Sequence, residues 1–135
     1  MPLPLALLER EGGGLELEKL LARLDETRER SPWLLCAACE QRITDNAARI
    51  PIHDQHEHTV SNPHGFVFRI GCFDSAPGVV EDGEPSIYWS WFPGYRWQIV
   101  VCQQCRWHLG WRFDNDGDTF FGLVLDRLRL ERGFQ

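Results

Sequence analysis

Four of the five cysteines stand in two C-x-x-C pairs, Cys36-Ala37-Ala38-Cys39 and Cys102-Gln103-Gln104-Cys105, with sixty-two residues between them. A tight turn lets each pair present two thiolates from one short stretch of chain. Two such turns make four soft ligands, the full complement of a tetrahedral structural Zn²⁺ site. Because protein atoms fill every position, no site is left open for substrate, and the spacing speaks for a structural metal. The ion would join distant parts of the chain, and structural zinc of this kind supplies about 10 kcal/mol or more to the folding of a small domain. A redox C-x-x-C would need only one pair, set in a βαβ context. Cys72 stands alone between Phe66-Val67-Phe68-Arg69-Ile70-Gly71 and Phe73. That apolar strand context suits a buried, inert thiol better than an activated nucleophile.

Other residues imitate metal sites less well. His56-Glu57-His58 puts two histidines on one face of a possible strand but lacks the helical i, i+4 spacing of an H-E-x-x-H site; a solvated strand or loop is expected. Asp114-Asn115-Asp116-Gly117-Asp118 has its glycine two positions early for a calcium loop, and Leu125 stands where the bidentate Glu belongs. It is expected to be a turn. The six tryptophans need a separate explanation. Trp91 and Trp97 flank Phe92-Pro93-Gly94-Tyr95, and Trp111 follows the second cysteine pair closely, so a metal and a hairpin could gather all three indoles. Large aromatics usually fill core, and only convergent polar groups beside them turn such a cluster into a binding site.

The elements that must position these groups read as β structure. Phe66-Val67-Phe68-Arg69-Ile70, Tyr95 to Val101, Leu109 to Phe113 and Thr119 to Leu125 are short β-prone runs separated by turn residues. Asn62-Pro63-His64-Gly65 reads as a β-turn with proline second, Phe92-Pro93-Gly94-Tyr95 as a type II turn, and Asn115-Asp116-Gly117 as a hairpin connection. Before Trp33 the pattern is helical: Leu17, Leu20, Leu21 and Leu24 recur at i, i+3, i+4, i+7, with an end expected near Ser31-Pro32. Residues 1–30 are therefore expected to be a helical extension and 31–135 a zinc-binding ligand domain. The 135 residues carry 14 basic and 20 acidic side chains, a formal charge of −6, which disfavours nucleic acid and anionic membranes as partners. Met1 to Leu8 lacks a basic leading region and is not expected to be a signal peptide. Paired cysteines suited to a metal, with no long apolar run, make a cytoplasmic protein the expectation.

Taken in order, Asn62-Pro63-His64-Gly65, Trp89-Ser90-Trp91-Phe92-Pro93-Gly94-Tyr95-Arg96-Trp97, Cys102-Gln103-Gln104-Cys105, His108-Leu109-Gly110-Trp111 and Phe120-Phe121-Gly122-Leu123 resemble the motif series of the CULT domain. This is the thalidomide-binding domain of cereblon, which also occurs as single-domain bacterial proteins, and the resemblance covers roughly residues 33 to 130. It implies a β-tent, two antiparallel sheets pinned at the zinc held by Cys36, Cys39, Cys102 and Cys105. It further implies that Trp91, Trp97 and Trp111 wall a cage, that Phe113 lies at its floor and that Asn62 and Pro63 lie at its rim. Family members hold the imide through backbone groups of the segment matching Trp89, Ser90 and Trp91. Trp89 replaces a histidine of the human relative, a departure that bears on selectivity at the rim.

The implied ligand is a neutral glutarimide, cyclic imide or uracil-like ring. Its cellular form would be a small molecule, a pyrimidine nucleoside or a cyclised imide at a protein C-terminus. A ring of about eight heavy atoms is expected to bind near micromolar, or about −8 kcal/mol. No reaction and no ubiquitin-ligase adaptor role are expected. Two other classes compete. One is an enzyme resembling the B-type methionine sulfoxide reductases, using Cys72. The other is a reader of methylated ammonium groups, since indole faces attract cations; such a reader benefits from a carboxylate, and the run from Trp89 to Trp111 has none.

Overall fold

The computed structural model describes residues 17–19 and 32–132. Residues 17–19 are helical; the remainder of the expected amphipathic helix lies outside the described residues. From Trp33 onward the chain is mainly β, in two antiparallel sheets. The smaller sheet has the order β2-β1-β9, from Arg42–Asp45, Trp33–Cys36 and Leu128–Leu130. The larger has the order β3-β4-β8-β7-β6-β5. Its strands are Glu57–Ser61 (β3), Val67–Phe73 (β4), Val79–Ser86 (β5), Arg96–Cys102 (β6), His108–Asn115 (β7) and Asp118–Val124 (β8).

β4, β6, β7 and β8 grow from the β-prone runs, whereas the eight-residue β5 forms from Val79–Ser86, which none of those runs covers. Tyr95 N–H donates to Phe92 O at 3.0 Å, with Gly94 at φ 89°. Proline second and glycine third is what a type II turn requires, because its third residue needs positive φ. Gly65 N–H donates to Asn62 O at 3.0 Å, closing the other proline turn. The β7–β8 hairpin closes at the Asn115↔Asp118 pair, as the Asn-Asp-Gly sequence leads one to expect.

Packing makes a core of two parts. Leu34 and Ile43 from the small sheet meet Phe73, Val100, Leu109 and Leu123 from the large one. A second, aromatic cluster holds Phe92, Phe113 and Phe120, with ring centroids 4.8 to 5.1 Å apart. Gly78, immediately before β5, bridges the small sheet and the second cysteine pair. Its N–H donates to Ile43 O at 2.9 Å and its carbonyl accepts from Gln103 N–H at 3.0 Å. A Cβ at this position would lie 2.0 Å from Arg42 O, so only glycine admits the approach.

Candidate metal centre and aromatic cavity

The cysteine pairs fold into two matching knuckles, one from each sheet. In the first, Glu40 N–H donates to Cys36 O at 2.8 Å and Cys36 N–H to Gln41 O at 2.8 Å. In the second, Arg106 N–H donates to Cys102 O at 2.9 Å and Cys102 N–H to Trp107 O at 2.8 Å. Each turn ends on a left-handed residue, Glu40 at φ 67° and Arg106 at φ 70°. Neither is glycine, so each knuckle carries a backbone cost of about 1–2 kcal/mol.

The four Sγ atoms lie within 4.8 Å of one another, with Cys36 to Cys105 at 3.7 Å and Cys39 to Cys102 at 3.5 Å. Thiolates about 2.3 Å from a zinc ion sit about 3.8 Å apart at the corners of a tetrahedron. The set is therefore able to hold a metal ion of that size. Electrostatics agrees. Burial pushes the Cys36 thiol up to about 12 and is also the largest cause of the upward shift at Cys39. At Cys102 burial is outweighed by the backbone N–H groups of Cys105 and Gln104 and by neighbouring thiols, and the net shift is downward. Four sulfurs this close do not ionise together unless a cation neutralises them.

Among the described residues this is the one cluster of three or more metal-ligating side chains. His56 and His58 instead brace the preceding loop: His56 Nδ1 lies 3.2 Å from Ile50 O, and His58 Nε2 lies 3.0 Å from Ile52 O and 3.1 Å from Gln55 O. The acidic run is a turn. Asp114 meets Arg96 at 2.8 Å and Arg112 at 2.6 Å, while Asp118 accepts from Tyr95 OH at 2.7 Å.

A cavity of about 460 Å³ opens on the larger sheet. Trp91, Trp97 and Trp111 all line it, as do Trp89, Asn62 and Pro63. Register brings these walls together. Trp97 pairs with Phe113 and Ile99 with Trp111, so β6 and β7 present one continuous face. Trp91 stands edge-on to Trp111, centroids 4.7 Å apart at 86°. Two indole N–H groups are used by backbone: Trp91 Nε1 donates to Ser61 O at 2.8 Å and Trp97 Nε1 to Tyr88 O at 2.5 Å. These bonds fix how the rings stand and tie them to the loops on either side.

The rim is built differently from the walls. Asn62 Oδ1 accepts from His64 N–H at 3.0 Å and Phe66 N–H at 2.9 Å, so this amide organises its own loop. Trp89 is left-handed at φ 60° and the residue is 64% exposed. Two of the expected site residues do not line the cavity. Ser90 Oγ donates to Phe92 O at 3.0 Å, and Phe113 is fully buried, one layer behind Trp91 at 6.3 Å.

Four lining residues have no assigned role in the sequence reading: His64, Phe68, Ile99 and His108. Ile99 was legible as the position two after Trp97, on the same strand face. His108 packs edge-on to Trp111 at 4.8 Å and 87°, and its Nε2 lies 2.9 Å from Gly110 O. Burial, with a smaller contribution from the charge of Arg127, lowers its pKa, so the ring is neutral and donates to that carbonyl. Phe68 reaches the cavity only because β4 and β7 lie on either side of β8.

No protein-family model matches the chain. About half of it is similar to curated proteins named cereblon. The zebrafish (Danio rerio) protein is 39% identical over 72 residues, 50% of this chain and 17% of that protein. The chicken (Gallus gallus) protein is 38% identical over 72 residues, 50% and 16%. The Drosophila melanogaster protein is 34% identical over 76 residues, 51% and 13%. The chain spans less than a fifth of the length of these relatives. Among the described residues no helix is long and apolar enough to cross a membrane. Two antiparallel sheets, two cysteine knuckles with clustered thiols and this similarity over about half the chain support a cereblon-like domain.

Proposed function

We propose that the domain binds a neutral, flat-sided ring, a glutarimide, another cyclic imide or a uracil-like group, in a cage of Trp91, Trp97 and Trp111, and that a structural zinc on the four cysteines holds the cage's strands together. The observation that carries this reading is the chemistry of the cavity: among the described residues four indoles line it, those of Trp89, Trp91, Trp97 and Trp111, and no carboxylate does. A quaternary ammonium would need charge compensation there; a neutral ring needs only apolar faces and a few hydrogen bonds. Backbone groups of Trp89, Ser90 and Trp91 are the proposed partners for the ring's N–H and carbonyls. The two bonded indole N–H groups leave those rings to act through their faces. Asn62 and Pro63 form the rim, and Phe113 supports the floor from behind.

The domain acts by binding and performs no reaction. Cys72, the residue an enzyme reading would need, is fully buried in β4, and burial pushes its thiol up to about 12. At neutral pH such a group is a thiol in an apolar core, the opposite of an activated nucleophile. We place the protein in the cytoplasm, where a metal-bound thiolate set persists reduced. Its ligand is a free small molecule or a cyclic imide at a protein C-terminus, and neither nucleic acid nor a membrane is a partner of its acidic surface. Tryptophan fluorescence titrations with glutarimide, uridine and trimethyllysine test the reading. Saturable quenching by glutarimide or uridine supports it, and a response to trimethyllysine alone overturns it.

A further inference from the structure

The cysteine knuckles and the aromatic cavity are joined by one side chain. Arg127 closes the 3₁₀ turn Leu125–Arg127 that links β8 to β9. Its backbone carbonyl accepts from Ala37 N–H at 2.9 Å, inside the first knuckle. Its guanidinium lies over two rings, with Cζ 5.2 Å from the centroid of Trp107 and 5.8 Å from that of Phe68. Nη1 donates to His108 O at 2.5 Å. Trp107 itself belongs to the second knuckle, where its carbonyl takes the Cys102 N–H. Phe68 and His108 line the cavity, and both stand edge-on to Trp111, Phe68 at 5.2 Å and 71°.

The partners chosen by this arginine differ from those of its neighbours. Arg42, Arg69, Arg96 and Arg112 each sit within salt-bridge distance of a carboxylate. Arg127 is half-buried and satisfied by a carbonyl and two ring faces. A planar, weakly hydrated guanidinium tolerates this environment, and the attraction to a ring strengthens when water is excluded. Without the charge, the His108 carbonyl loses a donor and Phe68 loses the group that holds its ring against Trp111.

We infer that Arg127 is a positioning residue, which holds Phe68 and the His108 end of β7 against Trp111 and so sets one wall of the cavity from the metal end of the domain. The binding arm of its test rests on the cavity being the ligand site proposed above; the spectroscopic arm does not. Arg127→Met removes the charge and the donor while leaving the backbone bond to Ala37. In the zinc-loaded full-length chain this variant is expected to keep the metal content of the wild type, to show an altered near-UV circular dichroism spectrum from its aromatic cluster, and to bind glutarimide roughly tenfold more weakly. Arg127→Lys, which retains a cation and donors, recovers most of the spectrum and of the affinity. A wild-type near-UV spectrum in Arg127→Met overturns the inference whether or not any imide binds. Equal impairment in Arg127→Lys and Arg127→Met also overturns it, since side-chain volume would then be the cause. If Arg127→Met does not fold, NMR of the wild type and Phe68→Leu decides. Upfield-shifted Arg127 side-chain resonances that relax in Phe68→Leu support the contact, and unshifted resonances in the wild type refute it.

Discussion

Each indole of the cavity has its own neighbours, and those neighbours set what its loss would cost. Trp111 is 7% exposed and touched by Trp91, Phe68 and His108, so its face is rigidly presented. Trp97 is held through its N–H by Tyr88 O. Truncating a buried aromatic anchor typically costs about 2 to 4 kcal/mol of binding, roughly thirty- to a thousand-fold in affinity. Trp97→Ala and Trp111→Ala are therefore expected to leave imide binding barely measurable by fluorescence or calorimetry in variants that keep zinc and a cooperative thermal transition. Trp33, on β1 beneath Arg42 in the other sheet, serves as the control: Trp33→Ala should retain affinity. An N-methylated imide should not bind, since it lacks the donor that a backbone carbonyl near Trp89 would accept. Equal weakening by all three Trp→Ala changes would show that the indoles are core rather than cage.

At the scale of elements, the decisive contact is the one between sheets. Gly78 touches β2 through Ile43 and the second knuckle through Gln103. An added methyl would meet Arg42 O at 2.0 Å and the Ile43 Cα at 2.6 Å, both backbone atoms that cannot rotate away. Overpacking of this type costs about 1–3 kcal/mol or more. Gly78→Ala should lower the denaturation midpoint and weaken metal retention in competition with a chelator, because the contact lies beside Gln103 between Cys102 and Cys105. Gly117→Ala, where a Cβ meets nothing within 4 Å, should do neither. A stable, zinc-retaining Gly78→Ala protein would mean that the sheets separate freely there.

For the whole molecule, the metal is expected to act as the principal cross-link. The first knuckle ends β1 of the small sheet and the second ends β6 of the large one, so their four thiols span the two sheets. One zinc per chain is expected by elemental analysis, and Cys36→Ser or Cys105→Ser should abolish cooperative unfolding at moderate temperature. Folded, soluble protein without metal would contradict this. Deleting residues 1 to 30 tests the proposed division of the chain: every described residue that lines the cavity follows Trp33, so imide affinity should stay within a few-fold. A large loss would show that the N-terminal segment supports the cavity.

Legibility followed the range of each constraint. The cysteine knuckles, the Phe92–Tyr95 turn and the strand-forming runs were readable because each rests on a few adjacent residues whose types dictate local geometry: C-x-x-C spacing, proline before glycine, β-branched and aromatic clusters. The β7–β8 hairpin was readable too, but the pairing of β8 with β4 was not, since pairing between strands distant in sequence depends on burial summed over the whole sheet. That pairing brings Phe68 on β4 to the cavity wall that β7 forms with Trp111. The left-handed backbone at Trp89 and the placing of Arg127 between Trp107 and Phe68 were likewise settled only in three dimensions. Tryptophan does not favour a left-handed backbone, and arginine stacks on any accessible ring, so the surrounding contacts choose these settings.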